Sequence, residues 1–345
     1  MSSSLNNLPE TLDNSLEAKI SAAIDAKTKP LGALGDIETL AAQIARIQRS
    51  LAPRADTCRL TIFAADHGMA QAGVSAFPQA VTRQMVMNFL TEGAAANVFA
   101  RSVGADVQVV DAGVSGEPID DARLIQKRIG NGTANAIERP AMTQDQIDAA
   151  LASGSAIGHD GTEAVACFGE MGIGNTSAAS LVAAKILGLP VGDITGRGTG
   201  LDDVGLQRKC ALLETAAART EAQLDARPAL QEYGGFEIAM MAGAMLGAAA
   251  AGKVVIVDGF IASAAALAAS RLTPESRANM VFAHQSAEAG HARVLEALEA
   301  KPLLHLNMRL GEGTGALLAF PLVKAAADML RDMASFESAG VSGPA

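Results

Sequence analysis

Short apolar runs recur along the chain, and each ends in a polar or glycine-rich turn that a helical pattern follows. The runs occupy residues 60–65, 107–110, 164–168, 254–257 and 280–283. Their apolar residues are continuous rather than alternating, which is typical of strands buried on both faces. The pattern therefore predicts an α/β fold in which helices cover both faces of a mostly parallel sheet.

The two ends of the chain show a different pattern, with apolar residues at helical spacing and polar residues between them. Near the N-terminus these apolar residues are Leu12, Leu16, Ile20, Ile24, Leu40, Ile44 and Ile47. A helical pattern also covers residues 316–333. We predict a small helical subdomain built from residues 1–50 and 316–345, and a large α/β domain over residues 51–315.

Composition narrows the classes of function. The 345 residues are 49% hydrophobic and 19% charged, so the chain can bury a large core. The formal net charge of -10 argues against non-specific nucleic-acid binding and against attraction to anionic membranes. An anionic substrate would therefore need a local basic pocket. The longest uncharged apolar run, residues 238–252, is shorter than the roughly 20 residues of a membrane-spanning helix.

Two further features bear on the cellular compartment. The first residues lack the basic start and apolar core of a secretory signal, so we expect a cytoplasmic protein. Cys58, Cys167 and Cys210 are odd in number and widely spaced, which indicates reduced thiols rather than a disulfide framework.

Three glycine-rich loops, at residues 169–177, 196–203 and 309–315, indicate one nucleotide-sized cleft. In the last loop, Glu312 lies among Gly311, Gly313 and Gly315, so the backbone can approach a ligand closely and leave room for a flat ring. A tight loop with a solvated glutamate is the alternative for this segment taken alone.

Several polar residues stand where predicted strands end. Asp66, Glu170, Asp258 and Ser286 each follow an apolar run. Because ligands of parallel sheets bind beyond the carboxyl ends of the strands, these residues are expected to share one edge of the sheet.

In the loop at residues 169–177, a strand, a glycine turn and a helix follow in order, which favours a phosphate bound at the start of the helix. The residues concerned are Gly172, Gly174, Asn175 and Thr176. Ser177 stands where a dinucleotide fingerprint would have glycine, and the Gly-Lys-Ser/Thr of a P-loop is missing. Tight packing without a ligand remains the alternative.

Basic residues near the second glycine loop could neutralise a phosphate. Arg197, Arg208 and Lys209 lie in or soon after that loop, although any one of them alone is more often a solvated helix charge. Asp202 and Asp203 could chelate magnesium, but acidic residues at the start of a helix, where they interact favourably with its dipole, are the favoured interpretation.

The histidines do not predict a metal site. His284 and His291 are seven positions apart, and no cysteine or carboxylate completes a ligand set with known spacing. We expect neither a metal nor a cofactor. His67 lacks a serine or cysteine partner motif, so a structural role is favoured for it.

With these residues in view, the chain resembles the nicotinate-nucleotide:dimethylbenzimidazole phosphoribosyltransferase family over most of its length. The order and combination of the matching segments are specific, although several are weak singly. These segments are residues 28–35, 65–68, 73–75, 81–85, 169–177, 196–203, 257–260 and 309–315.

The resemblance implies transfer of the 5-phosphoribosyl group of nicotinate mononucleotide to 5,6-dimethylbenzimidazole. The products would be α-ribazole 5′-phosphate and nicotinate, in the assembly of the nucleotide loop of cobalamin. It further implies a doubly wound large domain, a small helical domain from both chain ends, and a homodimer.

The resemblance also implies roles for individual residues. Glu312 would be the catalytic base, Glu170 would support it, and Lys209 would contact the nucleotide phosphate. The other nucleotide-binding residues would be Gly172, Gly174, Asn175, Thr176, Gly198, Asp258, Gly259 and Ser286. Residues from Ser75 to Gln84 would border the benzimidazole pocket. The flat acceptor also needs an apolar slot, which Phe77, Met85, Leu310 and the glycines of the last loop could provide.

The chemistry of this reaction agrees with the residues present. The pyridinium nitrogen of nicotinate mononucleotide is already cationic, so nicotinate leaves as a neutral ring and needs neither a general acid nor a metal. As one benzimidazole nitrogen attacks, the N–H on the other becomes acidic, and a buried carboxylate can accept that proton. Attack opposite the leaving group would invert the β-nucleotide to an α-riboside.

Two other functions remain open at this point. A nicotinamide-cofactor oxidoreductase fits the parallel sheet and the glycine loops but lacks the dinucleotide fingerprint. A non-catalytic benzimidazole- or nucleotide-binding protein would keep the pocket, but the presence of both Glu170 and Glu312 argues against it.

Overall fold

The computed structural model describes residues 14–342, which form two compact units. The small unit contains residues 14–55 and 322–342, and the large unit contains residues 56–321. In chain order the helices are α1 (Asn14–Asp25), α2 (Asp36–Gln48), α3 (Ala80–Leu90), α4 (Ala95–Val103), α5 (Gln144–His159), α6 (Asn175–Leu187), α7 (Asp203–Ala217), α8 (Ala226–Tyr233), α9 (Phe236–Ala250), α10 (Phe260–Leu272), α11 (His291–Ala297), α12 (Thr314–Asp332) and α13 (Phe336–Ala339). Short 3-10 helices cover Gly68–Ala72, Val191–Asp193 and Pro274–Asn279.

The large unit is built on a parallel sheet. Within the described residues its six strands are β1 (Cys58–Ala65), β2 (Asp106–Gly113), β3 (Leu124–Gln126), β4 (Val165–Met171), β5 (Val254–Val257) and β6 (Met280–Phe282). Every neighbouring pair is parallel, in the order β3-β2-β1-β4-β5-β6. The order reverses between β1 and β4, as in doubly wound sheets. The predicted α/β fold is confirmed, and each predicted apolar run overlaps a strand.

Small residues allow close packing over the sheet. A Cβ atom on Gly154 or Gly158 of α5 would overlap the backbone carbonyls of Met240 or Ala244 in α9. Helix α10 buries all of its residues up to Ser270, most of which are alanine. None of the helices in the described part of the chain is long and apolar enough to cross a membrane.

The small unit joins segments that are distant in sequence. The N–H of Thr28 donates to the carbonyl of Ala334 at 3.1 Å, and the buried Lys29 forms an ion pair with the partly buried Glu38 at 2.9 Å. The predicted subdomain, residues 1–50 with 316–345, stays a prediction. Its residues 1–13, which include Leu12, and 343–345 lie outside the described residues.

Candidate active site

A cavity of about 450 Å³ opens at the carboxyl edge of the sheet, beyond β4, β5 and β6. Topology explains its position, because the loops that follow parallel strands meet at this edge. The predicted site residues that line the cavity are Glu312, Glu170, Gly172, Asn175, Thr176, Gly198, Asp258, Gly259, Ser286, Phe77 and Leu310.

The other predicted site residues do not belong to the cavity lining. Ser75 contacts the cavity residue Thr199, with 3.2 Å between their hydroxyl oxygens. Gln84 is exposed and Met85 is half-buried on α3. Gly174 precedes α6 with φ of 98°, and Lys209 is fully buried on α7.

The loop that carries Glu312 has three consecutive residues in the left-handed region, with φ of 82° at Gly311, 62° at Glu312 and 81° at Gly313. Glycine adopts this conformation without strain, whereas for a residue with a side chain it usually costs about 1–2 kcal/mol. A Cβ on Gly311 would overlap Glu170 Oε1, and a Cβ on Gly169 would overlap the backbone of Glu312. The glycines therefore let two acidic segments approach each other.

Glu170 lies near the end of β4 and is buried. Its Oε1 accepts a hydrogen bond from the backbone N–H of Glu312 at 3.3 Å, and its Oε2 accepts one from the side-chain amide of Asn175. Burial raises the pKa of Glu170 well above its usual value, and the negative charges of Asp258, Glu237 and Glu312 add to this. Ionisation of Glu170 is therefore harder than for a glutamate in water.

Asp258 follows β5 and holds the start of α12. Its carboxylate accepts hydrogen bonds from the N–H groups of Gly313 at 3.2 Å and Ala316 at 2.9 Å. Burial raises the pKa of Asp258, and the nearby His284 opposes this shift. His284 Nε2 lies 3.8 Å from Asp258 Oδ1.

The carboxyl of Glu312 is buried at the cavity wall, and its Oε2 has no hydrogen-bond partner. Burial raises the pKa of Glu312 to about 7, with a further contribution from the charge of Asp258. A carboxyl with this pKa can exchange a proton with a bound molecule near neutral pH.

A cationic region lies at another part of the wall. Lys209 donates to Thr176 Oγ1 at 3.0 Å and to the carbonyl of Gly196 at 3.1 Å. Burial lowers the pKa of Lys209 to about 8, and the negative charge of Glu288 opposes this shift. Arg309 donates to the carbonyl of Gly198 at 3.0 Å.

This region can hold an anion. Thr176 belongs to the first turn of α6, which no side chain caps, and the start of a helix favours negative charge. Gly198 has φ of 54°, and a Cβ at this position would lie 2.8 Å from Thr176 Oγ1 and 3.4 Å from Lys209 Nζ. The second glycine loop therefore lies close against the ammonium group of Lys209.

Apolar side chains stand at the mouth of the cavity. Phe77 is 50% exposed and Leu310 is 56% exposed, and both belong to the cavity lining. Met171, Ile173 and Phe260 add apolar surface. This surface suits a flat aromatic ligand.

The structure adds residues that the sequence did not single out for the site, chiefly Glu288 and His284. The sequence could have indicated Glu288, because it lies only two positions after the predicted site residue Ser286, in the loop beyond β6. His291 accepts the N–H of Ser286 through Nδ1 at 2.8 Å, so its Nε2 carries the proton that is donated to Ser263 Oγ at 2.9 Å. His291 therefore orients the Ser286 backbone.

His67 lies beneath the first glycine loop, where its Nε2 contacts Glu237 Oε1 at 2.6 Å and both side chains are fully buried. Cys58 and Cys167 are buried free thiols, and Cys210 is a partly buried one. Within residues 14–342, no group of three or more histidine, cysteine or acidic side chains is placed to hold a metal. The expectation that no metal is needed stays a prediction.

A model of a phosphoribosyltransferase family matches residues 10–341 of this chain. The nicotinate-nucleotide–dimethylbenzimidazole phosphoribosyltransferase of Aromatoleum aromaticum is 54% identical, over 95% of this chain and 96% of that protein. The enzyme of the same name from Ralstonia nicotianae is 53% identical, over 96% of this chain and 95% of that protein. The chain belongs to the nicotinate-nucleotide:dimethylbenzimidazole phosphoribosyltransferase family.

A solved structure of the same family has the same fold. The crystal structure of CobT from Thermus thermophilus is 42% identical in sequence, with a TM-score of 0.92, and the match covers 96% of this chain and 100% of that one. Family membership confirms the resemblance drawn from the sequence. The oxidoreductase and the non-catalytic binding protein find no support in these comparisons.

Proposed function

We propose that this chain transfers the 5-phosphoribosyl group of nicotinate mononucleotide to 5,6-dimethylbenzimidazole. The products are α-ribazole 5′-phosphate and nicotinate, and the reaction serves cobalamin biosynthesis. Relatives of this name match nearly the whole chain. The observation that carries the proposal is Glu312, a buried carboxyl with an unpartnered oxygen and a pKa of about 7 in a nucleotide-sized cavity.

The reaction exchanges one carbon–nitrogen bond for another. The unprotonated nitrogen of dimethylbenzimidazole attacks C1′ of the ribose, and the bond from C1′ to the pyridinium nitrogen breaks. Its electron pair goes to the leaving ring, which becomes neutral. The attacking base gains positive charge, and its N–H proton passes to the carboxylate of Glu312. Attack from the opposite face inverts the configuration at C1′.

Glu170 supports this base. Its position fixes the Glu312 backbone through the hydrogen bond at 3.3 Å. Burial and the negative charge of Glu312 both raise the pKa of Glu170, so ionisation of Glu312 opposes ionisation of Glu170. Two ionised carboxylates so close together would repel each other, and this arrangement avoids that repulsion.

The nucleotide phosphate binds at the cationic region. The first turn of α6 and Lys209 supply donors, and Gly172 and Gly198 allow a close approach of the backbone. Lys209 reaches this region from behind the wall, through Thr176. Asp258, Gly259 and Ser286 border the remainder of the nucleotide.

The flat acceptor binds between Phe77 and Leu310, beside Glu312. Ser75, Gln84 and Met85 border this pocket from outside the cavity wall. The exposure of Phe77 and Leu310 supports the assignment, because a bound ring would remove their apolar surface from water.

The family resemblance supports a homodimer in the cytoplasm with small-molecule substrates and without a nucleic-acid or membrane partner. The net charge of -10 agrees with the absence of a nucleic-acid partner. Light scattering on the purified chain tests the dimer.

The function is tested by mixing the purified protein with nicotinate mononucleotide and dimethylbenzimidazole. We expect nicotinate and α-ribazole 5′-phosphate in equal amounts, identified by chromatography and by the anomeric proton in NMR. Binding of both substrates without any product would favour a non-catalytic protein instead.

A further inference from the structure

A carboxylate already occupies the cationic region where the substrate phosphate is expected. Glu288 lines the cavity and is 9% exposed. Its Oε2 accepts a hydrogen bond from the backbone N–H of Gly198 at 3.4 Å. Gly196 leaves room for this carboxylate, since a Cβ there would overlap Glu288 Oε2.

Two cations act on the Glu288 carboxylate through their charge. The link to Lys209 is Gly198, which donates to Glu288 Oε2 and whose Cβ position lies 3.4 Å from Lys209 Nζ. Lys209, on α7, is the largest influence that lowers the pKa of Glu288, and Arg309 contributes in the same direction. Burial has the larger and opposite effect, so the pKa of Glu288 is raised overall. The same carboxylate acts on Lys209 by opposing the loss of its charge through burial.

Glu288 uses groups that commonly bind a phosphate oxygen, namely a backbone N–H in a glycine loop and a nearby ammonium. A dianionic phosphate and an ionised Glu288 would repel each other if both lay beside the amide of Gly198. Binding of the phosphate therefore requires Glu288 either to move away or to take up a proton.

We propose that Glu288 is an internal anion that competes with the substrate phosphate for Lys209 and for the amide of Gly198. This inference rests on the proposed function, which places the phosphate at Lys209. The charge of Glu288 opposes the loss of charge on the buried lysine when the site is empty. It also keeps nucleotide binding weaker than the cationic region alone would allow, which favours release of the phosphorylated product.

A different role for Glu288 would be to accept hydrogen bonds from the ribose hydroxyls. The two roles predict opposite changes in ligand affinity when the charge of Glu288 is removed. Loss of a competing anion strengthens phosphate binding, whereas loss of a hydroxyl acceptor weakens nucleotide binding.

The test is calorimetric titration of Glu288→Gln with inorganic phosphate and with nicotinate mononucleotide, beside steady-state assays of the KM for the nucleotide. We expect both ligands to bind about tenfold more tightly than to the wild type, since a like charge is removed from the site. Glu296→Gln, an exposed change of the same charge on α11, should leave both affinities unchanged.

Unchanged or weaker binding of inorganic phosphate to Glu288→Gln would overturn the inference. If that variant fails to fold, Glu288→Ala is titrated in its place, with the same expected direction. Failure of the proposed function is seen separately, because the wild type would then form no α-ribazole 5′-phosphate whatever the variants bind.

Discussion

The backbone N–H of Glu312 donates a hydrogen bond to Glu170 Oε1 at 3.3 Å, although the two residues are 142 positions apart. The contact joins the end of β4 to the loop before α12. It places one carboxyl whose pKa is well above the usual value beside another whose pKa is about 7. In our account Glu170 holds the backbone of Glu312, and Glu312 accepts the proton.

The pH dependence of the reaction should follow Glu312. Its pKa is raised to about 7, and only the ionised form can accept a proton. The rate constant kcat/KM should therefore rise about tenfold per pH unit below pH 7 and level off above it. Rates measured between pH 5 and pH 9 check this, and the matched profile of Glu312→Gln should lose that rise. A rise that persists in the variant would assign the titration to another group.

Lys209→Ala should raise the KM for nicotinate mononucleotide by about 10–100-fold and leave that for dimethylbenzimidazole unchanged. A hydrogen bond to a charged group is worth roughly 1.5–3 kcal/mol, and this one serves only the nucleotide. The neighbouring Arg208→Ala is the control, because Arg208 donates to the carbonyl of Ala72 instead. Equal effects of both changes, or an unaltered nucleotide KM, would place the phosphate elsewhere.

The strands of the large unit could be predicted from sequence because their apolar runs are continuous. Strand β3 was missed, since Leu124–Gln126 offers only three residues of pattern. The order of the strands could not be predicted, because it depends on where each crossover returns. The approach of Glu170 to Glu312 and the position of Glu288 beside Lys209 likewise arise from contacts between distant loops.

Gly311→Ala should reduce both stability and turnover. Its φ of 82° costs about 1–2 kcal/mol for a residue with a side chain, and the added Cβ would overlap Glu170 Oε1. A displaced base can cost about a hundredfold in rate. Gly104→Ala is the control, since Gly104 has φ of 71° with nothing within 4 Å of its Cβ position.

Thermal unfolding and turnover of the two glycine variants separate the effect of backbone strain from the effect of the overlap with Glu170. Both variants should lose stability, but only Gly311→Ala should lose turnover. Full activity of Gly311→Ala would show that the approach of Glu170 to the Glu312 loop is not needed.

Turnover should survive exhaustive EDTA treatment and dithiothreitol. The pyridinium donor carries its own positive charge, so its departure needs no neutralising metal. The aspartates at the end of the second glycine loop have other partners, because Asp202 accepts the N–H of Gly205 at 2.8 Å and Asp203 pairs with Arg197. Activity that is lost on chelation and restored by added magnesium would contradict this account.

The most direct test of the central claim is the turnover number of Glu312→Gln with saturating substrates, beside the wild type and the exposed control Glu296→Gln. Glutamine keeps the size of the side chain but cannot accept the proton. We predict that turnover falls by roughly 10²–10⁴-fold, as expected on loss of a general base, while substrate affinities change little and the control stays at the wild-type rate. Turnover of Glu312→Gln within about threefold of the wild type, well below the usual effect of a general base, would contradict Glu312 as the base.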